Sequence, residues 1–136
     1  MDLPACTNFS TAGDLRYCEV RVGSGGEAPQ LGDQVEVSYT ARVVDETGLP
    51  GRIYDGSKNF QFTLGQGEVV PGWEMALVGN EGMPPAQAGA VRTVVIPPAL
   101  AYGDRGEGCL FGRSQNCKVP PGQSVAITFA YKGLAF

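Results

Sequence analysis

Few residues in this chain have the chemistry to form or break bonds. The four cysteines, Cys6, Cys18, Cys109 and Cys117, fall into two local pairs at opposite ends of the chain. Histidine is absent, which removes Ser-His-Asp and Cys-His triads, His-based metalloprotease motifs and most catalytic zinc sites. Conventional hydrolase chemistry is therefore not expected, nor is a metal or cofactor. What remains is aromatic: one tryptophan, Trp73, and tyrosines whose hydroxyls can donate or accept while their rings line an apolar surface.

The cysteines allow three pairings. Cys6 with Cys18, and Cys109 with Cys117, close short loops, and neither pair has the two-residue spacing of a zinc knuckle. Two disulfides, each contributing about 2–3 kcal/mol, would place the protein in an oxidising compartment. The alternative is four reduced thiols in a cytosolic protein.

The elements that must position the aromatic residues are organised around Gly65–Leu77. Pro71 suits a first helical turn and Gly79 a helix end, which leaves room for about two turns. Trp73 and Leu77 fall on one face, and Glu74 lies near the positive end of the helix dipole. So short a helix must be held by a sheet across its apolar side. A lone tryptophan at helical spacing is also compatible with a simple core residue.

Period-two alternation marks the strands. Residues 15–22 form a first strand after an irregular lead-in over 5–13. From Gln34, Val35, Val37, Tyr39, Ala41 and Val43 share one face. A polar loop over 45–52 leads to Ile53-Tyr54-Asp55, and Phe60, Phe62 and Leu64 form the strand entering the helix. Residues 90–96 follow, stopped by Pro97-Pro98. A long loop over 101–121 is expected to be closed at its waist by the second cysteine pair, before a last strand carrying Val125, Ile127, Phe129 and Tyr131. The fold class is α+β: a five-stranded, mostly antiparallel sheet wrapped around one short helix. Residues 1–136 read as a single domain with a disulfide-stapled extension over about 1–22.

Ten Lys and Arg against fourteen Asp and Glu, with no basic run, argue against nucleic acid and anionic membranes as partners. No apolar run reaches the ~20 residues of a membrane span.

The Tyr-Thr of Val37-Ser38-Tyr39-Thr40, the turn Tyr54-Asp55-Gly56-Ser57, Phe60-Gln61-Phe62, Gly67-Glu68-Val69-Val70-Pro71-Gly72-Trp73, Ile96-Pro97-Pro98, Ala101-Tyr102-Gly103 and Val119-Pro120-Pro121 occur in that order. From about residue 30 onward the chain resembles FKBP-type peptidyl-prolyl isomerases. Its N-terminal cysteines, and Leu100–Gly106 followed by the second pair, are similar to the thylakoid-lumen members of plants and green algae. The resemblance implies an FKBP-like fold and rotation about Xaa-Pro bonds, with proline-containing peptides as substrates, macrolide inhibitors as a further ligand class and a monomer in the lumen. It implies that Trp73 floors a proline pocket walled by Tyr39, Tyr54, Phe60, Val69, Val70, Tyr102 and Ile127. Asp55 and the Tyr102 hydroxyl are then polar groups at its edge, Val119 belongs to an overhanging loop, and the Val70 N–H is placed to meet a substrate carbonyl.

Several of these residues have a plainer reading. Asp55 suits an Asx-type cap of its own turn, Phe62 suits the core, and Glu68 suits a structural role near the helix start. Three departures bear on ligand affinity: only four residues separate Asp55 from Phe60, where most members have a longer turn, and Tyr54 and Ile127 each stand where phenylalanine is common. A proline-docking module with little turnover is the competing function, and a redox-regulated chaperone the third.

Overall fold

The computed structural model describes residue 6, residues 8–108 and residues 117–135. One antiparallel sheet dominates: β1 (Ser10–Ala12), β2 (Leu15–Arg21), β3 (Gln34–Val44), β4 (Pro50–Thr63), β5 (Val91–Ile96) and β6 (Val125–Leu134), in the order β1-β2-β5-β6-β3-β4. Among the described residues there is one α-helix, α1 (Pro71–Val78), which lies across one face, and a 3-10 turn over Pro98–Leu100 follows β5.

The sheet has six strands rather than the five expected. The extra strand comes from the lead-in, where Ala12 pairs with Leu15 across the two-residue turn Gly13-Asp14, and Gly13 takes a φ of 60°. Three residues are too few for alternation to show. The second correction concerns Tyr54–Asn59, read as the end of one segment, a turn and the approach to the next strand. These residues lie inside one fourteen-residue strand, with Thr40 opposite Gly56 and Tyr39 opposite Ser57. The register shifts between Val37 and Tyr39, and again between Ala41 and Val44, so bulges absorb the turn-forming residues without ending the pairing.

The alternation on β3 is realised as expected. Val35, Val37, Ala41 and Val43 are buried and Tyr39 is half-buried, while Ser38, Thr40 and Arg42 are only partly covered. Strand β5 is buried at every position, because β2 and β6 flank it and each face is covered. Its Arg92, Val94 and Ile96 lie toward the helix, whereas Val95 joins Val44, Ala126 and Phe9 in a smaller cluster on the reverse face.

Helix α1 begins with Val70 extended (φ −62°, ψ 145°), as a residue before proline must be. It ends at Gly79, whose φ of 101° favours glycine and whose N–H donates to Met75 O at 2.8 Å. Gly72, Trp73, Ala76 and Leu77 are its buried residues. The packing against β5 is close enough that a Cβ on Gly72 would run into Ile96.

At the N-terminal side Cys6 and Cys18 form a disulfide that ties the lead-in to β2. The expected Cys109–Cys117 pairing lies outside the described residues, because Cys109 does. The waist of the long loop holds a backbone bridge in which Glu107 and Val119 exchange hydrogen bonds of 2.9 and 3.1 Å. Among the described residues no helix is long and apolar enough to cross a membrane. Nor is any group of three or more His, Cys, Asp or Glu placed to hold a metal ion among them.

Candidate active site

The helix carries Trp73 into the centre of an aromatic cluster. Tyr39 from β3 meets the indole edge-on at 4.8 Å between ring centres, Phe60 and Phe62 from β4 lie at 6.1 and 5.3 Å, and Phe129 from β6 at 6.1 Å. Tyr39 and Phe60 also touch each other, at 5.5 Å. Trp73 is only 4% exposed, and its Nε1 is buried with no hydrogen-bond partner among the described residues. Phe62 and Phe129 are fully buried beneath it, whereas Tyr39 and Phe60 are partly open, so the cluster has a closed side and an accessible side. Phe129 belongs to none of the family motifs; its place two residues after Ile127 on the inward face of β6 is the signal the sequence carries for it.

The loop before α1 is set by two carboxylates. Glu68 Oε2 accepts from Thr63 N at 3.1 Å, and Glu74 accepts from Gly65 N. Leu64 and Gly32 complete the anchorage through main-chain bonds of 2.9 Å from Leu64 N to Asp33 O and from Gly32 N to Leu64 O. Val69 and Val70 are thereby held against the rim of the core. The Val70 carbonyl accepts from Trp73 N at 3.1 Å, while its N–H has no partner among the described residues.

Tyr102 is positioned from the other side. After the 3-10 turn, Gly103 N donates to Pro98 O at 2.8 Å, and Gly106 N donates to the Tyr102 carbonyl at 3.1 Å. Only glycine fits at Gly106, which has a φ of 72° and whose Cβ would collide with Val119 O. The Tyr102 ring stands nearly perpendicular to Tyr54 at 6.0 Å, and the Tyr54 hydroxyl donates to the Tyr102 hydroxyl at 3.3 Å. This leaves the Tyr102 proton free to point elsewhere.

The Tyr39 hydroxyl donates to Asp55 Oδ2 at 2.9 Å, and Asp55 Oδ1 accepts from Gly56 N at 2.8 Å. The carboxylate thus serves both its own turn and the neighbouring strand. Burial raises the pKa of the Tyr39 hydroxyl, with the hydrogen bond to Asp55 and the Asp55 charge adding to it. Tyr54 is raised still further, first by burial and then by its bond to Tyr102. Tyr102 is raised mainly by burial, against an opposing effect of the bond it accepts. The negative charge of Asp55 adds to the raising of all three hydroxyls. All three stay protonated at neutral pH.

The structure therefore packs Tyr39, Tyr54, Phe60, Val69, Val70 and Tyr102 against the core that holds Trp73, with Asp55 bonded to Tyr39. Ile127 is buried in the same cluster, opposite Ala41 and Val94. Val119 is wholly buried as well, so its side chain belongs to the packed interior beneath the loop.

A sheet wrapped on one face around a short helix, with a tryptophan at the helix start and tyrosine hydroxyls at the rim, defines a recognisable class. The pattern of the FKBP-type peptidyl-prolyl cis-trans isomerases matches residues 25–129, and the chain belongs to that family. Two chloroplast proteins of Arabidopsis thaliana are similar along most of its length. Peptidyl-prolyl cis-trans isomerase FKBP13 is 35% identical over 135 residues, 96% of this chain and 61% of that protein. Photosynthetic NDH subunit of lumenal location 4 is 37% identical over 117 residues, 86% of this chain and 52% of that protein. This chain thus spans between half and two thirds of the length of these relatives. The crystal structure of AtFKBP13 matches with a TM-score of 0.81 at 36% identity, over 95% of this chain and all of that one. A peptidyl-prolyl cis-trans isomerase from Pseudomonas syringae pv. tomato matches at 0.67 and 25% identity, over 94% and 81% of the two chains.

Proposed function

We propose that this chain is a peptidyl-prolyl cis-trans isomerase acting on exposed Xaa-Pro bonds, in the chloroplast thylakoid lumen. The observation that carries the proposal is the aromatic cluster on Trp73, open on the Tyr39 and Phe60 side and rimmed by the Tyr102 hydroxyl. The lumenal assignment rests on the two Arabidopsis relatives, one named chloroplastic and the other also lumenal, and on the Cys6–Cys18 disulfide.

Rotation about a peptide C–N bond faces a barrier of about 18–20 kcal/mol, because resonance gives the bond double character and places negative charge on oxygen. Water stabilises that charge-separated planar state. An aromatic and aliphatic surface that holds the proline ring still and removes its amide from water favours the twisted, less polar transition state. The Val70 N–H, without a partner among the described residues, is suited to anchor a substrate carbonyl, and the Tyr102 hydroxyl supplies a second donor at the rim. In this role Trp73 forms the floor, Tyr39, Tyr54, Phe60, Val69, Val70 and Ile127 the walls, and Asp55 orients Tyr39. No step needs a nucleophile or a titrating base, in keeping with a chain that has no histidine.

The test is the cis-to-trans rate of a short Xaa-Pro peptide with the wild-type chain, Trp73→Ala and Tyr102→Phe. Acceleration over the spontaneous rate is expected, with both variants losing more activity than stability. A folded wild-type chain that gives no acceleration would overturn the proposal. A second reading is favoured by the relative named as an NDH subunit: the same surface docks a proline-containing segment of a partner during complex assembly. Saturable peptide binding without turnover would select it.

A further inference from the structure

Strands β1 and β2 lie outside the residues matched by the family pattern, yet β2 reaches the helix that carries Trp73. The link is Arg92, the one charged side chain among the described residues that is fully buried, at 1% exposure. Its guanidinium faces Glu19 of β2 bidentately, Nε to Oε2 and Nη2 to Oε1 at 3.2 Å. Its Nη1 donates to Ala76 O of α1 at 2.7 Å and to Pro84 O of the following loop at 2.8 Å. The guanidinium also lies 5.7 Å from the centre of the Tyr17 ring, and the Tyr17 hydroxyl closes the same loop by donating to Gly82 O at 2.9 Å.

Helix α1 is thus fixed on β5 at two points. Near its start, Gly72 sits against Ile96 with no room for a methyl group. Further along, Arg92 grips the Ala76 carbonyl. Trp73 stands between these points, so both together set its angle to Tyr39 and Phe60. A buried arginine with three acceptor groups, one carboxylate and two carbonyls, keeps its geometry only while its countercharge is present, because an unpaired buried charge is costly and draws in water. Glu19 provides that charge, and it does so from a strand that the family pattern does not include.

We propose that Glu19 and Arg92 are positioning residues for the pocket floor: the N-terminal strand sets the orientation of Trp73 by neutralising and orienting the arginine that holds α1. The consequence for catalysis rests on the isomerase reading above, whereas the consequence for Trp73 does not.

Because Trp73 is the only tryptophan, its fluorescence reports the pocket floor directly. The experiment compares the wild-type chain with Glu19→Gln and with Arg92→Lys. For each protein it measures Trp73 emission, acrylamide quenching, kcat and KM on one Xaa-Pro peptide, and the unfolding midpoint. Glu19→Gln keeps the side chain's size and removes only the charge, which makes it the variant expected to fold. The expected result is a red-shifted, more quenchable Trp73 in a folded protein. It is accompanied by a loss on the order of tenfold in kcat/KM, the scale of small misplacements at a reacting centre. Arg92→Asn/Glu19→Gln, which removes both charges together, should restore stability relative to Arg92→Asn alone but not the emission. A merely structural pair would lower the unfolding midpoint while leaving Trp73 emission and kcat/KM of the folded protein unchanged, and that result would overturn the inference. If the wild type itself proves inactive, the isomerase reading fails. The emission and quenching of Trp73 then still decide the positioning role.

Discussion

Tyr39 on β3 and Asp55 on β4 are joined by a 2.9 Å hydrogen bond from hydroxyl to carboxylate, although a register shift separates their strands' pairing on either side. The bond fixes the Tyr39 ring, whose other contacts are Phe60 and Trp73. Removing the hydroxyl in Tyr39→Phe leaves Asp55 with the Gly56 N–H as partner. Because Asp55 is exposed, water replaces part of what is lost, and the expected cost is about 0.5–1.5 kcal/mol. A double-mutant cycle with Asp55→Ala should return a coupling of about that size. Strict additivity in urea unfolding would show that the two side chains do not orient one another.

The pH dependence follows from the three raised tyrosines of the site, and Tyr131, raised mainly by its own burial, acts in the same sense. The chain has no histidine, and the three site hydroxyls, raised by burial, keep their protons between about pH 6 and 9. Isomerisation at constant stability should therefore be flat across that range. Tyr39, Tyr54 and Tyr102 all lie above their ordinary value of 10.0 in the folded protein. As pH passes that value the unfolded chain releases these protons first, so it binds fewer protons than the native state and stability falls with pH. The contribution is intact below about pH 10 and is lost progressively above it. Urea midpoints at pH 7, 9 and 10.5 check the sign, and a gain in stability above pH 10 would contradict the burial of these hydroxyls.

Much of this architecture was legible in the sequence, and the parts that were not share a physical cause. Pro71, Gly79 and the strict alternation from Val35 to Val43 are local signals, and α1 and β3 formed where those signals placed them. Residues 54–59 contain Gly56, Ser57 and Asn59, which favour turns in isolation, but pairing with β3 overrides that preference by bulging. Strand β1 depends on a two-residue turn and a partner rather than on any pattern of its own. The site is built from contacts far apart in the chain, such as Tyr54 with Tyr102 and Arg92 with Glu19, which periodicity cannot reveal. Tyr54, Trp73 and Tyr102 lie in family motifs that imply pocket roles, and Arg92 lies in none of them. Alternation puts Arg92 on one face with Val94 and Ile96, as found, but it does not reveal the Glu19, Ala76 and Pro84 acceptors that keep the charge there.

Gly72→Ala offers a test in which the ordinary rule reverses. Within a helix, alanine is favoured over glycine by about 0.5–1 kcal/mol, since it loses less backbone entropy. Here the added methyl meets the Ile96 side chain, so either α1 lifts from β5 or Ile96 leaves its place in the core. Overpacking of this kind costs about 1–3 kcal/mol, and net destabilisation is expected in spite of the better helix former. Ile96→Val should relieve part of the clash. A Gly72→Ala chain more stable than wild type would show that the helix is not seated this closely.

The Cys6–Cys18 disulfide closes a loop with a sequence separation of 12, and it ties the lead-in before β1 to β2. Strand β1 has only three residues and pairs only with β2, with its first two side chains exposed. Strand β2, by contrast, pairs with β5 and carries Glu19 to Arg92. The disulfide's contribution therefore lies mainly in restricting the unfolded chain and in retaining the lead-in, where Phe9 covers Val44, Val95 and Ala126. For a loop of this size the restriction is worth about 2–3 kcal/mol. The variant Cys6→Ser/Cys18→Ser, which leaves Cys109 and Cys117 untouched, should show a lower denaturant midpoint. In hydrogen exchange, Ser10–Ala12 should lose protection while the Val91–Ile96 amides keep theirs up to the global limit. If protection were lost equally in β1 and β5, the disulfide would be holding the whole sheet together, and β2 would not be anchored independently by β5 and Arg92.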